Sequence, residues 1–257
     1  MHNFFGRLLL CQLEQNRDLP VGMATAIMST HSHTGLASNA SSLTHSEAQN
    51  HDPESELIEA RTKDAEGRTV VHKYMRGKLL GKGGFAKCYY GVSLPSKTGY
   101  ALKIVLKTSL VKARARQKLQ SEIKIHRMLR HANICRFERF FEDKANAYIV
   151  LELCSNNSMS ELIKRRKKLS EIEVRFYVVQ LLSALKYLHS NLVIHRDLKL
   201  GNLFIDSAMH LKVGDFGLAT KLTHPEERKK TMCGTPNYIA PEILEGKDGH
   251  SFEVDTW

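Results

Sequence analysis

Three polar side chains, Asp197, Asn202 and Asp215, sit where short apolar segments end. Asp197 and Asn202 stand five positions apart, between Leu192-Val193-Ile194 and Leu203-Phe204-Ile205, and Asp215 follows Leu211-Lys212-Val213. Segments of this length and composition read as strands, which give the loops between them a rigid base. A carboxylate, an amide and a second carboxylate on one surface are suited to hold Mg²⁺ on a polyphosphate and to steer a hydroxyl towards it. Asx turns at strand ends are the purely structural alternative. Two linked patterns, His195-Arg196-Asp197-Leu198-x-x-x-Asn202 and Asp215-Phe216-Gly217, weigh against that alternative.

Other elements must position these groups. Leu79-Leu80-Gly81-Lys82-Gly83-Gly84-Phe85-Ala86-Lys87-Cys88-Tyr89-Tyr90 reads as strand, glycine turn, strand. Glycines there let backbone N–H groups approach phosphates where a Cβ would intrude. Residues 100–105 alternate as a strand carrying Lys103. A helix over about 115–129, anchored by Ile123, Ile125, Met128 and Leu129, carries Glu122, nineteen residues beyond Lys103. Glu122 can pair with Lys103 or with Arg116, Lys118 or His126 on its own helix. Strands are expected over 136–142 and 147–153, and a short helix over 55–63. Ser158-Met159-Ser160-Glu161 and Ser170-Glu171-Ile172-Glu173 each open a helix with a capping box. The first helix ends in the basic run 164–168. Along the second, Val174, Tyr177, Val178, Leu181, Leu182, Leu185 and Leu188 keep helical spacing, which predicts a core helix feeding into His195.

The 257 residues carry a net charge of +11, unevenly spread. Residues 1–72 hold 5 Lys and Arg against 9 Asp and Glu, a net −4, whereas residues 73–257 hold 33 against 18, a net +15. A basic folded part favours acidic or phosphorylated partners, and no aromatic interleaving of a nucleic-acid platform accompanies it. Cysteines at 11, 88, 135, 154 and 233 show no C-x-x-C pairing and read as reduced thiols. No apolar run is long enough for a bilayer. Residues 1–69, rich in Ser, Thr, His and Asn in their central part, read as a flexible leader without sustained periodicity, and residues 70–257 as the ordered domain.

The motifs, taken in order, resemble those of eukaryotic Ser/Thr protein kinases. The glycine loop departs from the family pattern at Ala86 and Cys88; Tyr100-Ala101-Leu102-Lys103 resembles V-A-I-K, and Ala240-Pro241-Glu242 resembles A-P-E. The segments LGKGGFAKCY, LELC at 151–154, HRDLKLGNLF, ERKKTMCGTPNYIAPEIL and GHSFEVDTW are similar to the polo-like kinases in particular. The resemblance implies an α+β, bilobal kinase fold: an antiparallel-sheet small lobe over 70–153 and a partial helical large lobe over 154–257. It implies transfer of a phosphoryl group from ATP with Mg²⁺ to Ser or Thr of proteins, in mitotic control. Asp197, Lys199 and Asn202 would be catalytic, and Asn202 and Asp215 would hold metal. Leu80, Gly81, Gly83, Gly84, Ala86, Cys88, Ala101, Lys103, Glu122, Leu151, Glu152, Cys154 and Asp215 would form the nucleotide site. Thr231 would accept an activating phosphate from an upstream kinase and pair with Arg196, with Thr235 the competing candidate. Substrates would carry acidic residues near the Ser or Thr, with no nucleic-acid or membrane partner, and the address would be nucleus and cytoplasm. Asp255 would brace the catalytic loop. Further helices are expected beyond Trp257, so a non-catalytic nucleotide-binding or interaction fragment is the alternative reading of this chain.

Overall fold

The structure, a computed structural model, describes residues 56–63, 66–84 and 86–257. Six strands, β1 (Glu56–Lys63), β2 (Thr69–Lys82), β3 (Ala86–Ser93), β4 (Gly99–Leu106), β5 (Phe137–Glu142) and β6 (Asn146–Glu152), form one sheet in the order β1-β2-β3-β4-β6-β5. Every neighbouring pair is antiparallel. Phe137–Glu142 and Asn146–Glu152 agree with the expected strands to within a residue at each end. One face of the sheet is apolar: Tyr74, Leu102, Phe141, Tyr148 and Val150 cluster there. The Phe141 ring stacks on Tyr148 at 4.7 Å and on Tyr74 at 6.1 Å. Each such buried side chain stabilises the fold by about 1.5–3 kcal/mol.

β1 corrects two expectations. Glu56–Lys63 is a strand, not a helix, and order begins well before residue 70. Its register with β2 runs unbroken from Glu56 opposite Arg76 to Lys63 opposite Thr69. Ile58 and Ala60 alternate inwards onto the aromatic face, 5% and 0% exposed. Burial of those two side chains, with period 2, outweighs the helix-forming Glu, Arg and Lys around them. The leader expected over 1–69 otherwise lies outside the described residues up to 55.

Helix α1 (Ala113–His126) follows the sheet's fourth strand. It is shorter at its C-terminus than expected: Arg127 caps it, leaving Met128 exposed and Leu129 buried beyond the helix. α2 (Met159–Arg166) starts at Ser158, whose hydroxyl accepts from Glu161 N at 3.3 Å, while the Glu161 carboxylate pairs with Lys164 at 2.9 Å. α3 (Glu171–Ser190) has the full capping box on Ser170 and Glu173. Tyr177, Leu181, Ala184, Leu185 and Leu188 form its buried stripe. Leu182, expected in that core, is 53% exposed, and shares the outward side with Ile172, Phe176 and Val179. No helix among the described residues is long and apolar enough to cross a membrane.

The strands expected around the polar loops are present: β7 (Val193–Ile194), β8 (Leu203–Ile205) and β9 (Leu211–Val213). β8 and β9 pair as a hairpin, and β7 pairs with β10 (Thr220–Lys221). Gln180 fastens this base to α3, its side-chain oxygen accepting from Leu211 N at 2.8 Å and Asn133 Nδ2 at 2.9 Å. A short α4 (Pro241–Glu245) closes the segment after Asp215.

Candidate active site

Lys103 lies opposite Cys88 on β3 and Ile149 on β6, and Ala101 lies opposite Leu151. Cross-strand partners and i, i+2 neighbours share a face. Cys88, Ala101, Lys103 and Leu151 therefore line the side of the sheet opposite the aromatic cluster, all of them half-buried. Gly81, Gly83 and Gly84 stand exposed at the rim, with Gly83 N donating to Ala86 O at 2.8 Å. A Cβ at Gly81 or Gly84 would meet nothing within 4 Å among the described residues, which leave that space open. Leu80, at the same rim, is also exposed.

The choice left open for Glu122 is resolved. Its Oε1 accepts from Lys103 Nζ at 2.6 Å, joining α1 to β4. Lys103 also reaches Asp215 Oδ1 at 3.2 Å. Burial alone would lower the Lys103 pKa, but the two carboxylates overcome it and raise the value above the usual range. Burial would raise Asp215, yet Lys103 holds its carboxyl below the usual range. Glu122 is buried. Asp215 keeps its other face open, its side chain 45% exposed.

Asp215 has φ +58°, a left-handed conformation that costs a non-glycine residue free energy. Surrounding contacts hold it. Phe216, fully buried, packs its ring 4.6 Å from His126 and 5.1 Å from His195. His195 Nε2 donates to Gly214 O at 3.0 Å, and its Nδ1 accepts from Asp197 N at 3.3 Å, which fixes the tautomer. Gly214 N donates to Asn202 O at 3.0 Å, tying the two polar loops together. A Cβ at Gly214 would lie 2.9 Å from the Phe204 ring, which explains the glycine there.

His126 donates to Cys135 O at 2.6 Å, and burial pushes its pKa down to about 4. The native state therefore excludes a proton that the unfolded chain takes up below its ordinary value of about 6.5. Stability is lost as pH falls through that window, by up to about 3 kcal/mol by pH 4. Denaturant unfolding across pH 7 to 4 measures the slope. His126→Gln, which retains a donor for Cys135, is expected to flatten it.

Asp197 is buried and fully engaged. Its Oδ1 accepts from Thr235 Oγ1 at 2.6 Å; its Oδ2 accepts from Lys199 Nζ at 2.9 Å and Asn202 Nδ2 at 2.9 Å. Lys199 also donates to Thr235 Oγ1 at 2.6 Å. Thr235, which the sequence left as an alternative phosphoacceptor, thus sits in this cluster rather than out in solvent. Below the loop, Asp255 is buried and accepts from His195 N at 2.9 Å, Arg196 N at 2.8 Å and His189 Nε2 at 3.0 Å. Arg196, at φ +66°, needs that support.

At the sheet's lower edge, Glu152 Oε1 pairs with Lys212 Nζ at 2.8 Å and its Oε2 accepts from Arg136 N at 2.9 Å. These bonds fix the link between the sheet and the helical part. Cys154 O accepts from Asn157 N at 3.2 Å, while Cys154 N–H has no partner among the described residues. Thr231 is exposed, and Arg196 Nε donates to Leu218 O at 2.8 Å. The sequence did not reveal His126, His189 or His250 as structural partners, because each acts through a backbone or side-chain contact made only in the fold.

A bilobal fold with a lysine–glutamate pair over one polar loop cluster defines a kinase-type catalytic domain, and residues 74–257 match the protein kinase domain. The chain belongs to that family. The family's chemistry uses ATP and a divalent metal, and its substrates are proteins. Among individual relatives, it is 59% identical over 201 residues to a probable serine/threonine-protein kinase CCRP1 of Zea mays, covering 78% of this chain and 32% of that protein. It is 56% identical over 184 residues to the serine/threonine-protein kinase polo of Drosophila melanogaster, covering 72% of this chain and 32% of that one. It is 55% identical over 201 residues to serine/threonine-protein kinase PLK1 of Xenopus laevis, covering 78% and 32%. The chain spans about a third of the length of these curated relatives.

Proposed function

We propose that the protein to which this chain belongs is a polo-like serine/threonine kinase with a part in mitotic control. The observation that carries the reading is the joining of Lys103, Glu122 and Asp215 above Asp197, Lys199 and Asn202, within hydrogen-bond reach in each group. The open rim at Gly81 and Gly84 and the unpartnered Cys154 N–H support a nucleotide seat there. Leu80, Ala86, Cys88, Ala101 and Leu151 would contact the base and sugar, and the backbone of Glu152 and Cys154 the edge of the adenine. Lys103 would hold the phosphates, and Asn202 and Asp215 the Mg²⁺. Bound MgATP supplies the γ-phosphoryl group.

The chain's own residues would then do three things. Asp197 orients the incoming Ser or Thr hydroxyl and accepts its proton. Lys199 offers a positive charge where negative charge grows. The Lys103–Glu122 pair fixes the nucleotide relative to Asp197. Thr231, phosphorylated by an upstream kinase, would pair with Arg196 and order the segment around it.

The openness around Gly84 gives a separable expectation. Gly84→Ala should change stability by less than about 0.5 kcal/mol, since the new methyl meets nothing within 4 Å among the described residues. In the proposed nucleotide seat the same methyl would intrude on the phosphates, so MgATP affinity should fall about tenfold. Chemical denaturation and nucleotide titration check the two halves.

Mass spectrometry of peptides incubated with the protein and MgATP tests the function itself. Phosphate is expected on Ser or Thr in peptides with acidic neighbours, and much less with basic neighbours or on Tyr. Transfer confined to Tyr, or none from protein that binds MgATP, overturns the reading.

A further inference from the structure

Arg196 is held by an acceptor that the proposed reaction does not use. Its Nη1 lies 3.3 Å from His250 Nε2. A guanidinium has no lone pair to give, so the imidazole is the acceptor and its proton sits on Nδ1. His250 is 1% exposed. Burial first, and then Arg196, lower its pKa, which keeps it neutral and able to accept.

His250 is also built into the segment that leads to Thr231. Lys229 N donates to His250 O and His250 N donates to Lys229 O, both at 2.8 Å, a two-bond antiparallel bridge. Arg228 reinforces it, donating to Asp248 O and Gly249 O at 2.9 Å each and to Glu253 Oε1 at 2.5 Å. Ser251 Oγ donates to Glu227 O at 3.3 Å. Gly249 has φ +71°, and a Cβ there would lie 2.8 Å from Lys229 O, so the strands approach as closely as they do only with glycine. Thr231 follows Lys229 by two residues and makes no hydrogen bond among the described residues.

We propose that His250 is a positioning residue that stands in for a phosphate. Its Nε2 holds the Arg196 guanidinium, and its backbone fastens the strand just before Thr231, so the catalytic loop and this segment are joined before any phosphorylation. Phosphothreonine at 231 brings a stronger, charged acceptor to Arg196 and makes the imidazole dispensable. This rests on the proposed function and on Thr231 as the acceptor.

The experiment compares wild type, His250→Phe and His250→Gln, each unphosphorylated and fully phosphorylated at Thr231. Peptide phosphorylation and amide hydrogen exchange over 228–231 and 195–197 are read together. Unphosphorylated His250→Phe is expected to lose tenfold or more in rate and to exchange at least tenfold faster at those amides. His250→Gln, which retains a neutral acceptor, is expected within threefold of wild type. Phosphorylated His250→Phe is expected within threefold of phosphorylated wild type in both readouts. Equal proportional losses in both forms would reduce His250 to a packing residue and overturn the proposal, as would an unaffected unphosphorylated His250→Phe. Should the phenylalanine variant lose its cooperative unfolding transition, His250→Asn, too short to reach Arg196, takes its place with the same expectations. Exchange needs no catalysis. Absence of transfer in every form therefore counts against the proposed function, while the exchange data still decide for or against His250.

Discussion

Asp197→Asn is expected to leave the protein folded and to lower phosphoryl transfer about 10³-fold, within the range for loss of a general base. The geometry explains why fold and activity separate. Asp197 Oδ2 faces two donors, Lys199 Nζ and Asn202 Nδ2, each at 2.9 Å. Oδ1 faces the Thr235 hydroxyl at 2.6 Å. An asparagine can keep its oxygen towards the two donors and its amide towards Thr235, whose hydroxyl can turn and accept. Only the half-buried Thr235 hydroxyl gives up its protein acceptor, and it can donate to water instead, so the stability cost should stay within about 1 kcal/mol. What the proposed mechanism would lose is a basic oxygen for the substrate's proton. Single-turnover rates with saturating MgATP, beside denaturant unfolding of both proteins, measure the two effects.

Asp255→Ala is expected to do the reverse and strike the fold first. The Asp255 side chain is 0% exposed and accepts from two backbone N–H groups, those of His195 and Arg196. Removing it leaves both donors buried without partners, at about 1–3 kcal/mol each. The loss of the His189 contact adds to this. A total of about 3–5 kcal/mol corresponds to a fall in Tm of about 10 °C for a domain of this size. Activity should fall even below the new Tm, since Arg196 at φ +66° loses the groups that hold its backbone. A thermal scan and a rate measured well below both transitions check this.

The polar loops were legible in the sequence because their chemistry is local. Asp197, Asn202 and Asp215 sit at fixed offsets from apolar strands, and those strands, β7, β8 and β9, formed within a residue of where they were expected. The Lys103–Glu122 pair needed more, since a helical Glu has closer cationic neighbours. Only the packing of α1 against the sheet brings Oε1 to 2.6 Å from Lys103. β1 was misread for a physical reason. Glu56–Lys63 is rich in helix formers, and only Ile58 and Ala60 turn inwards, too short an alternation to stand out. What makes it a strand is the aromatic face it covers, built from residues as distant along the chain as Val150. The outward stripe of α3 was hidden differently: seven apolar residues at helical spacing exceed what one face can bury, and nothing in the spacing says that Leu182 is left outside. Contacts such as His250 to Arg196 were out of reach entirely, because neither residue type nor distance along the chain announces them.

On the proposed function, the Lys103–Glu122–Asp215 cluster seats a nucleotide and is not merely a structural ion-pair group. A thermal-shift comparison of wild type and Lys103→Met, each with and without MgATP, tests it most directly. Ligand that binds only the native state stabilises it by about 2.7 kcal/mol at a hundredfold excess over Kd. A clear MgATP-dependent rise in the wild-type Tm is expected, with little or none in Lys103→Met, whatever the variant's own starting Tm. Equal shifts in the two proteins, or no shift in a cooperatively unfolding wild type, would contradict it.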